Sequence, residues 1–348
     1  MKWASGLLAV TGVLVGSGIM YGFLTSRTHR RVPVIIQLQP SVSPTPTPSL
    51  FEKYRFEQLQ KTTFAESEIV FDDLEKEEAD FTSYLFHYTV FDKKVTGRVT
   101  IPVNNGSYPI IIMFRGYVDR ESYTPGVGTR HAGDVLAKNG FITLAPDFLG
   151  YGGSDMPSAI VLEERFQTYT TALTLLASVA KITSGLHDVG LSGITADEKN
   201  VGIWGHSNGG HIALVTLEVT GTSYPTTLWA PVSKPFPYSI LYYTDEYEDH
   251  GKMLRRVVAE FEETDDVELY SLTNYFDWID APIILHQGSA DEAVSIAWSS
   301  ELNNALTGLE KDVTYYTYPG DDHNFAQRSW DTVVMRDIAF FKKHLQNQ

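Results

Sequence analysis

The chain has 348 residues, 43% of them apolar, enough for one large domain or two small ones. Its 43 acidic against 27 basic residues leave a net charge of -16, which excludes polyanions such as nucleic acid as partners, because phosphate affinity comes from lysine and arginine. The absence of cysteine excludes disulfides and thiol chemistry, and neither a zinc-type cluster nor a phosphate-cradling Gly-Lys loop is visible, so no cofactor and no metal is expected.

Residues 1–25 read as a membrane anchor or signal segment. Trp3 to Leu24 carries no charge and would span about 33 Å as a helix. No A-x-A-like cleavage site follows it, so the expectation is an anchor, with a secreted, cleaved form as the alternative. Residues 26–50 read as a linker whose core, Pro40 to Ser49, is rich in Pro, Ser and Thr and therefore extended. Arg27, Arg30 and Arg31 argue for a cytoplasmic C-terminal side, and the spacer argues for the outer face. The expectation adopted is an extracytoplasmic catalytic domain over residues 51–348. Oligomeric state is left open.

Phe51 to Gln60 is expected to be helical. Phe81 to Val90 and Lys94 to Pro102 alternate as the two arms of a hairpin turned at Asp92-Lys93. Strands are then expected near 109–114, 141–145, 201–204, 226–230, 282–286 and 313–318, with helices between them. This rhythm gives an α/β fold with a mostly parallel central sheet, helices on both faces and antiparallel N-terminal edge strands. The segment from about 234 to 279 breaks the rhythm. It is aromatic and acidic, and is expected to be a cap insertion that shapes the substrate pocket.

The chemistry lies at three turns. Val201 to Trp204 runs into Gly205-His206-Ser207-Asn208-Gly209-Gly210 and then an apolar helical run. A serine at such an apex has its hydroxyl pushed out of the backbone. Pro282 to Leu285 runs into a turn carrying Asp291, and Val313 to Tyr318 runs into a loop carrying His323. Singly, each is an ordinary turn serine, helix-capping acid or surface histidine. Together, at the ends of successive strands and in the order Ser, Asp, His, they supply a nucleophile, an orienting acid and a base. Glu292, Asp321 and Asp322 are rival acids.

These residues carry a resemblance. The elbow at Trp204–Gly210, the acid turn at Gly288–Val294, the loop Asp322-His323-Asn324-Phe325 and the turn Asp147–Ser154 resemble the α/β-hydrolase superfamily. Within it, the chain looks like the prolyl oligopeptidase and dienelactone hydrolase groups over about residues 80 to 345. It departs from them at Leu149, where arginine is common, and at Arg115, where histidine often precedes the oxyanion glycine. No β-propeller sequence precedes the catalytic part. The resemblance implies an oxyanion hole formed by the backbone N–H groups of Asn208 and, in the loop Arg115-Gly116-Tyr117-Val118, of Tyr117.

The expected function is hydrolysis of carboxylic ester or amide bonds in a small-molecule or peptide substrate through a covalent acyl-enzyme. A serine peptidase or acyl transferase using the same site is the alternative. A non-catalytic binding relative is the third reading, opposed by the complete set of reactive groups.

Overall fold

The computed structural model describes residues 49–346. The expected membrane segment, Trp3–Leu24, and the spacer before Ser49 lie outside the described residues. Among the described residues no helix is long and apolar enough to cross a membrane.

Nine strands form one sheet: β1 Val70–Glu77, β2 Phe81–Val90, β3 Lys93–Pro102, β4 Gly106–Phe114, β5 Ile142–Pro146, β6 Ile194–His206, β7 Thr226–Trp229, β8 Ile283–Gly288 and β9 Val313–Tyr318. Their order is β1-β2-β3-β5-β4-β6-β7-β8-β9. The first three strands and the β3–β5 pairing are antiparallel, and every later pairing is parallel. This is the α/β-hydrolase architecture expected from the sequence. The hairpin is present with Phe91 and Asp92 at its turn, and Val90 pairs with Lys93. Strand β1 was not anticipated. Its sequence, VFDDLEKE, is exposed at most positions because it forms the sheet edge.

The helices are α1 Phe56–Lys61, α2 Arg130–Lys138, α3 Val161–Ala177, α4 Ile182–Asp188, α5 Asn208–Thr220, α6 Tyr238–Leu241, α7 Lys252–Glu262, α8 Ile296–Gly308 and α9 Trp330–Leu345. Side chains along a strand alternate between faces, and β4 makes this concrete. Ile110, Ile112 and Phe114 join a core with residues of α1, α3, α4, α5 and α8. Ile111 and Met113 join a second core with residues of α2 and α9. Both faces are covered, so the strand can be apolar throughout. Helix α5 is buried from Gly209 to Val219, which explains its nearly continuous apolar sequence.

The segment expected to form a cap divides into two parts. Phe236, Phe261 and Tyr270 pack around Phe166 of α3, with ring centroids 5.1–6.1 Å from it. Phe51 and Tyr54 close the same cluster from the N-terminal side. The buried carboxylate of Asp265 accepts hydrogen bonds from Ser49, from Arg55 at 3.2 Å and from Tyr270 at 2.7 Å. The other part, around α6, keeps Tyr238, Tyr242 and Tyr247 substantially exposed. Tyr247 comes within electrostatic reach of Tyr117.

A second buried group ties α9 to the sheet. Asp337 accepts from Trp229 Nε1 at 2.8 Å and pairs with His286 Nε2 at 3.0 Å, with the His286 and Asp337 side chains fully buried. Burial raises the Asp337 carboxyl above its usual range, against the pull of His286 and Trp229.

Candidate active site

Strand β6 ends at His206 and α5 begins at Asn208, leaving Ser207 alone at the turn with φ 55 and ψ -119. A non-glycine residue held there stores about 1–3 kcal/mol of strain, so the surroundings must over-determine it. They do. Ser207 N–H donates to Trp229 O at 2.9 Å, and Ser207 O accepts from Gly210 N and Val232 N, both at 3.0 Å. The start of α5 also presses against β4. A Cβ on Gly209 would lie 1.9 Å from the Phe114 carbonyl oxygen, which explains why glycine must follow the elbow.

Asp291 and His323 meet, although 32 positions separate them. His323 Nδ1 donates to Asp291 Oδ2 at 2.8 Å. The Asp291 side chain is fully buried, and every bond it accepts is directed. Oδ1 accepts from Ala293 N at 2.9 Å and Val294 N at 2.8 Å, while Oδ2 also accepts from Gln287 Nε2 at 2.8 Å. Burial works to raise this carboxyl, but the bonds from His323, Val294 and Gln287 overcome it, leaving it below the usual carboxylate range. With Nδ1 committed as a donor to a carboxylate, Nε2 of a neutral His323 is left as the acceptor.

The rival acids are occupied elsewhere. Asp321 accepts from Asp322 N and Gln327 N, and Asp322 accepts from Asn324 N at 3.0 Å and Ala326 N at 2.9 Å. Both carboxylates shape the loop that carries His323. Glu292 is exposed. Phe325 anchors the loop from below, buried edge-on against Trp229 and Tyr318 at centroid distances of 5.3 and 5.2 Å.

His206 is a positioning residue that the sequence did not single out. Its Nε2 lies 3.0 Å from the His323 carbonyl oxygen. A carbonyl only accepts, so Nε2 carries the proton. Its ring lies 4.6 Å from the His323 ring. Burial, with the charge of His323 as the lesser cause, pushes His206 down to about 3. Gln287 was also missed. Besides Asp291, its amide serves the carbonyls of Gly288 and Val294, and its Oε1 accepts from Ser299 at 2.7 Å. The only hint in the sequence is its place just before the acid turn.

Asn208 and Tyr117, the residues expected to form an oxyanion hole, come together in the structure. Both line one cavity of about 170 Å³ together with Phe148, Leu149 and Ile212. Neither backbone N–H donates to another backbone group among the described residues. Gly116 brings the Tyr117 loop against the elbow: a Cβ there would lie 3.0 Å from Ser207 Cβ. Arg115 is buried and stacks on Tyr151, its guanidinium carbon 4.0 Å from the ring centroid. It donates to Gly116 O at 2.9 Å and Asp147 O at 3.0 Å. The trans peptide points its N–H opposite to its C=O, so this clamp on Gly116 O also orients Tyr117 N–H.

The sequence model of the prolyl oligopeptidase family matches residues 129–348. The chain belongs to the prolyl oligopeptidase family. It is a serine hydrolase of α/β-hydrolase fold. It is 26% identical over 265 residues to the uncharacterized peptidase YtmA of Bacillus subtilis (strain 168), covering 74% of this chain and 93% of that one. Its fold is similar to that of the acetyl xylan esterase from Paenibacillus sp. R4, at a TM-score of 0.57 and 15% identity, over 85% of this chain and 96% of that one. It is likewise similar to the acylaminoacyl peptidase of Pyrococcus horikoshii, at a TM-score of 0.56 and 17% identity, over 77% of this chain and 42% of that one. At these identities the structural likenesses speak for the fold.

Two outcomes follow from the geometry. Gln287→Leu removes one charge-assisted bond to Asp291 and should lower kcat by about one to two powers of ten while leaving the protein folded. Unchanged kcat on a cleaved ester would show that Gln287 does not hold the acid. The second concerns acid stability. His211 of α5 donates from Nδ1 to Val232 O at 3.0 Å and accepts from Tyr169 at 2.8 Å. Burial, and then the charge of Arg165, pushes it down to about 3. Below about pH 6.5 the unfolded chain therefore takes up protons that folded His206 and His211 refuse. The stability tied to these neutral rings is complete above about pH 6.5 and declines as the pH falls toward 3, by about 1.4 kcal/mol per unit per ring. In urea unfolding between about pH 4 and 6, His211→Gln should show a shallower decline than the parent. Equal slopes would refute the account.

Proposed function

We infer that Ser207 is the nucleophile, His323 the general base and Asp291 its orienting acid, with Asn208 and Tyr117 N–H as oxyanion donors. The observation that carries this reading is the 2.8 Å bond from His323 Nδ1 to the buried Asp291, beside a serine strained at an elbow. The Ser207 Oγ–carbonyl carbon bond forms as His323 Nε2 takes the serine proton. The carbonyl oxygen gains charge and is met by the two N–H groups. The bond to the leaving group then breaks as His323 returns the proton to the leaving oxygen or nitrogen. Water repeats the sequence on the acyl-enzyme, freeing the acid and restoring Ser207.

Ester hydrolysis is the primary reading and peptide or aminoacyl amide hydrolysis the second. The second is favoured by the family match over residues 129–348 and by the peptidase relative. Purified protein should be labelled by a fluorophosphonate and then screened against acyl chain lengths and aminoacyl amides. Ser207→Ala should abolish labelling and lower turnover by several powers of ten. His323→Ala should be about as damaging, because the members act as a unit, and Asp291→Asn somewhat less so. Near-normal turnover in Ser207→Ala would sink the assignment.

The N-terminal run Trp3–Leu24 is taken as a single-pass anchor, with the catalytic domain extracytoplasmic and residues 234–279 as its cap. The uncharged sequence and the proline-rich stretch after it support this. Full-length protein should sediment with membranes and need detergent for release, whereas a chain starting at residue 48 should stay in the supernatant with equal activity on small esters. Recovery of the intact full-length chain in the supernatant would remove the anchor. Recovery lacking the first residues would favour the secreted form.

A further inference from the structure

The cavity beside Asn208 and Tyr117 is lined on its far side by Arg165 of α3. Its neighbours on that helix have partners. Glu163 pairs with Lys53 at 2.8 Å, and Glu164, at the same cavity, pairs with Arg120. Among the described residues no carboxylate lies within ion-pair distance of Arg165, and its Nε is buried with no hydrogen-bond partner. Tyr169 lies within side-chain hydrogen-bonding reach of its guanidinium, and His211 and Tyr243 come within electrostatic reach of its charge. Burial raises both tyrosines and lowers the histidine, so none of the three is negative at neutral pH. A half-buried guanidinium without an anion is costly, and in a chain with a net charge of -16 an acidic partner was readily available.

Arg165 lines the same cavity as Asn208, the residue that follows Ser207. Tyr243 comes within electrostatic reach of both Arg165 and Asp291. It packs on the small cluster of Ala230, Val232, Val294 and Trp298. Val232 bonds the Ser207 carbonyl, and Val294 bonds Asp291. Tyr243 Oη is itself buried without a partner.

On the catalytic assignment above, this cavity is read as the acyl side of the site. The leaving group must lie toward His323, which hands it a proton. No residue of the His323 loop lines this cavity, whereas both proposed oxyanion donors do. Phe148, Leu149 and Ile212 give it an apolar stretch on which a short carbon chain can pack, beside the polar Gln167, Thr168 and Thr171, the Arg120-paired Glu164 and the carbonyl-bonded Arg115. On the catalytic assignment above, we propose that this cavity is an acyl subsite for groups ending in a carboxylate, with the guanidinium of Arg165 as the group that recognises it. The class comprises ω-carboxyacyl esters and peptides with an acidic residue on the acyl side of the cleaved bond. An arginine fork suits a planar carboxylate.

The test is a matched pair of chromogenic esters, the mono-4-nitrophenyl ester of glutaric acid and its neutral glutaramic acid counterpart, with spontaneous hydrolysis subtracted. The parent protein should prefer the anionic ester by tenfold or more in kcat/KM. That ratio should collapse toward one in Arg165→Met and be partly kept in Arg165→Lys. Free glutarate should inhibit the parent competitively and Arg165→Met much more weakly. A parent that treats the two esters alike overturns the proposal, even where Arg165→Met fails to fold. So does a preference that survives intact in a folded Arg165→Met. If Ser207→Ala retains activity on either ester, the catalytic assignment fails instead, which separates the two outcomes.

Discussion

A carboxylate removed from water is stable only when directed donors replace its hydration, and Asp291 meets that condition fully. Two backbone N–H groups from its own turn, the Gln287 amide and the His323 ring surround it. This makes the acid turn rigid, because rotating the carboxylate would break several bonds at once. It also fixes Nδ1 of His323 as the donor and leaves Nε2 of the neutral ring as the acceptor. Gln287 extends the arrangement into α8 through Ser299, so the last third of the sheet acts as a mount for one imidazole ring.

Ser207 rests on a different constraint, the close packing of α5 against β4. Gly209 has no room for a side chain, and the Ser207 carbonyl is tied to the chain leaving β7. The strained φ of Ser207 thus results from where the helix must lie. Arg115 performs a related task on the opposite wall. Stacked between aromatic rings and bonded to two carbonyls, it sets a peptide plane without contacting the reacting atoms. A histidine there would be too short to span both carbonyls in the same way, which gives a physical sense to the departure seen at this position.

Much of this was legible in the residues. Strands that are apolar on both faces, such as Ile110–Phe114, announce a covered parallel sheet, and the order of Ser207, Asp291 and His323 follows from turns at strand ends. Strand β1 was not legible, because an edge strand faces solvent and VFDDLEKE has no apolar alternation to betray it. The partners of the site were hidden for another reason. Gln287, His206 and Arg165 act across the fold, and nothing in their local sequence separates a buried polar side chain from a solvated one. Likewise the aromatics of residues 234–279 look uniform in sequence. Only packing separates Phe236, Phe261 and Tyr270, which seal α3, from Tyr238, Tyr242 and Tyr247, which stay open to solvent.

The contact between His206 and the His323 backbone has a consequence for how such a scaffold can vary. His206 and Ser207 are consecutive residues, so the contact to the His323 backbone and the strained serine are joined by a single peptide. The bond from His206 ties the His323 backbone to the end of β6, in addition to the mount that Asp291 and Gln287 supply from the last strands. Among the described residues, neither 234–279 nor the loops before α2 and α3 supply a hydrogen bond to the Asp291 or His323 side chain, so these segments can vary with those contacts kept. A chain built this way can alter what it admits while leaving its reacting atoms in register.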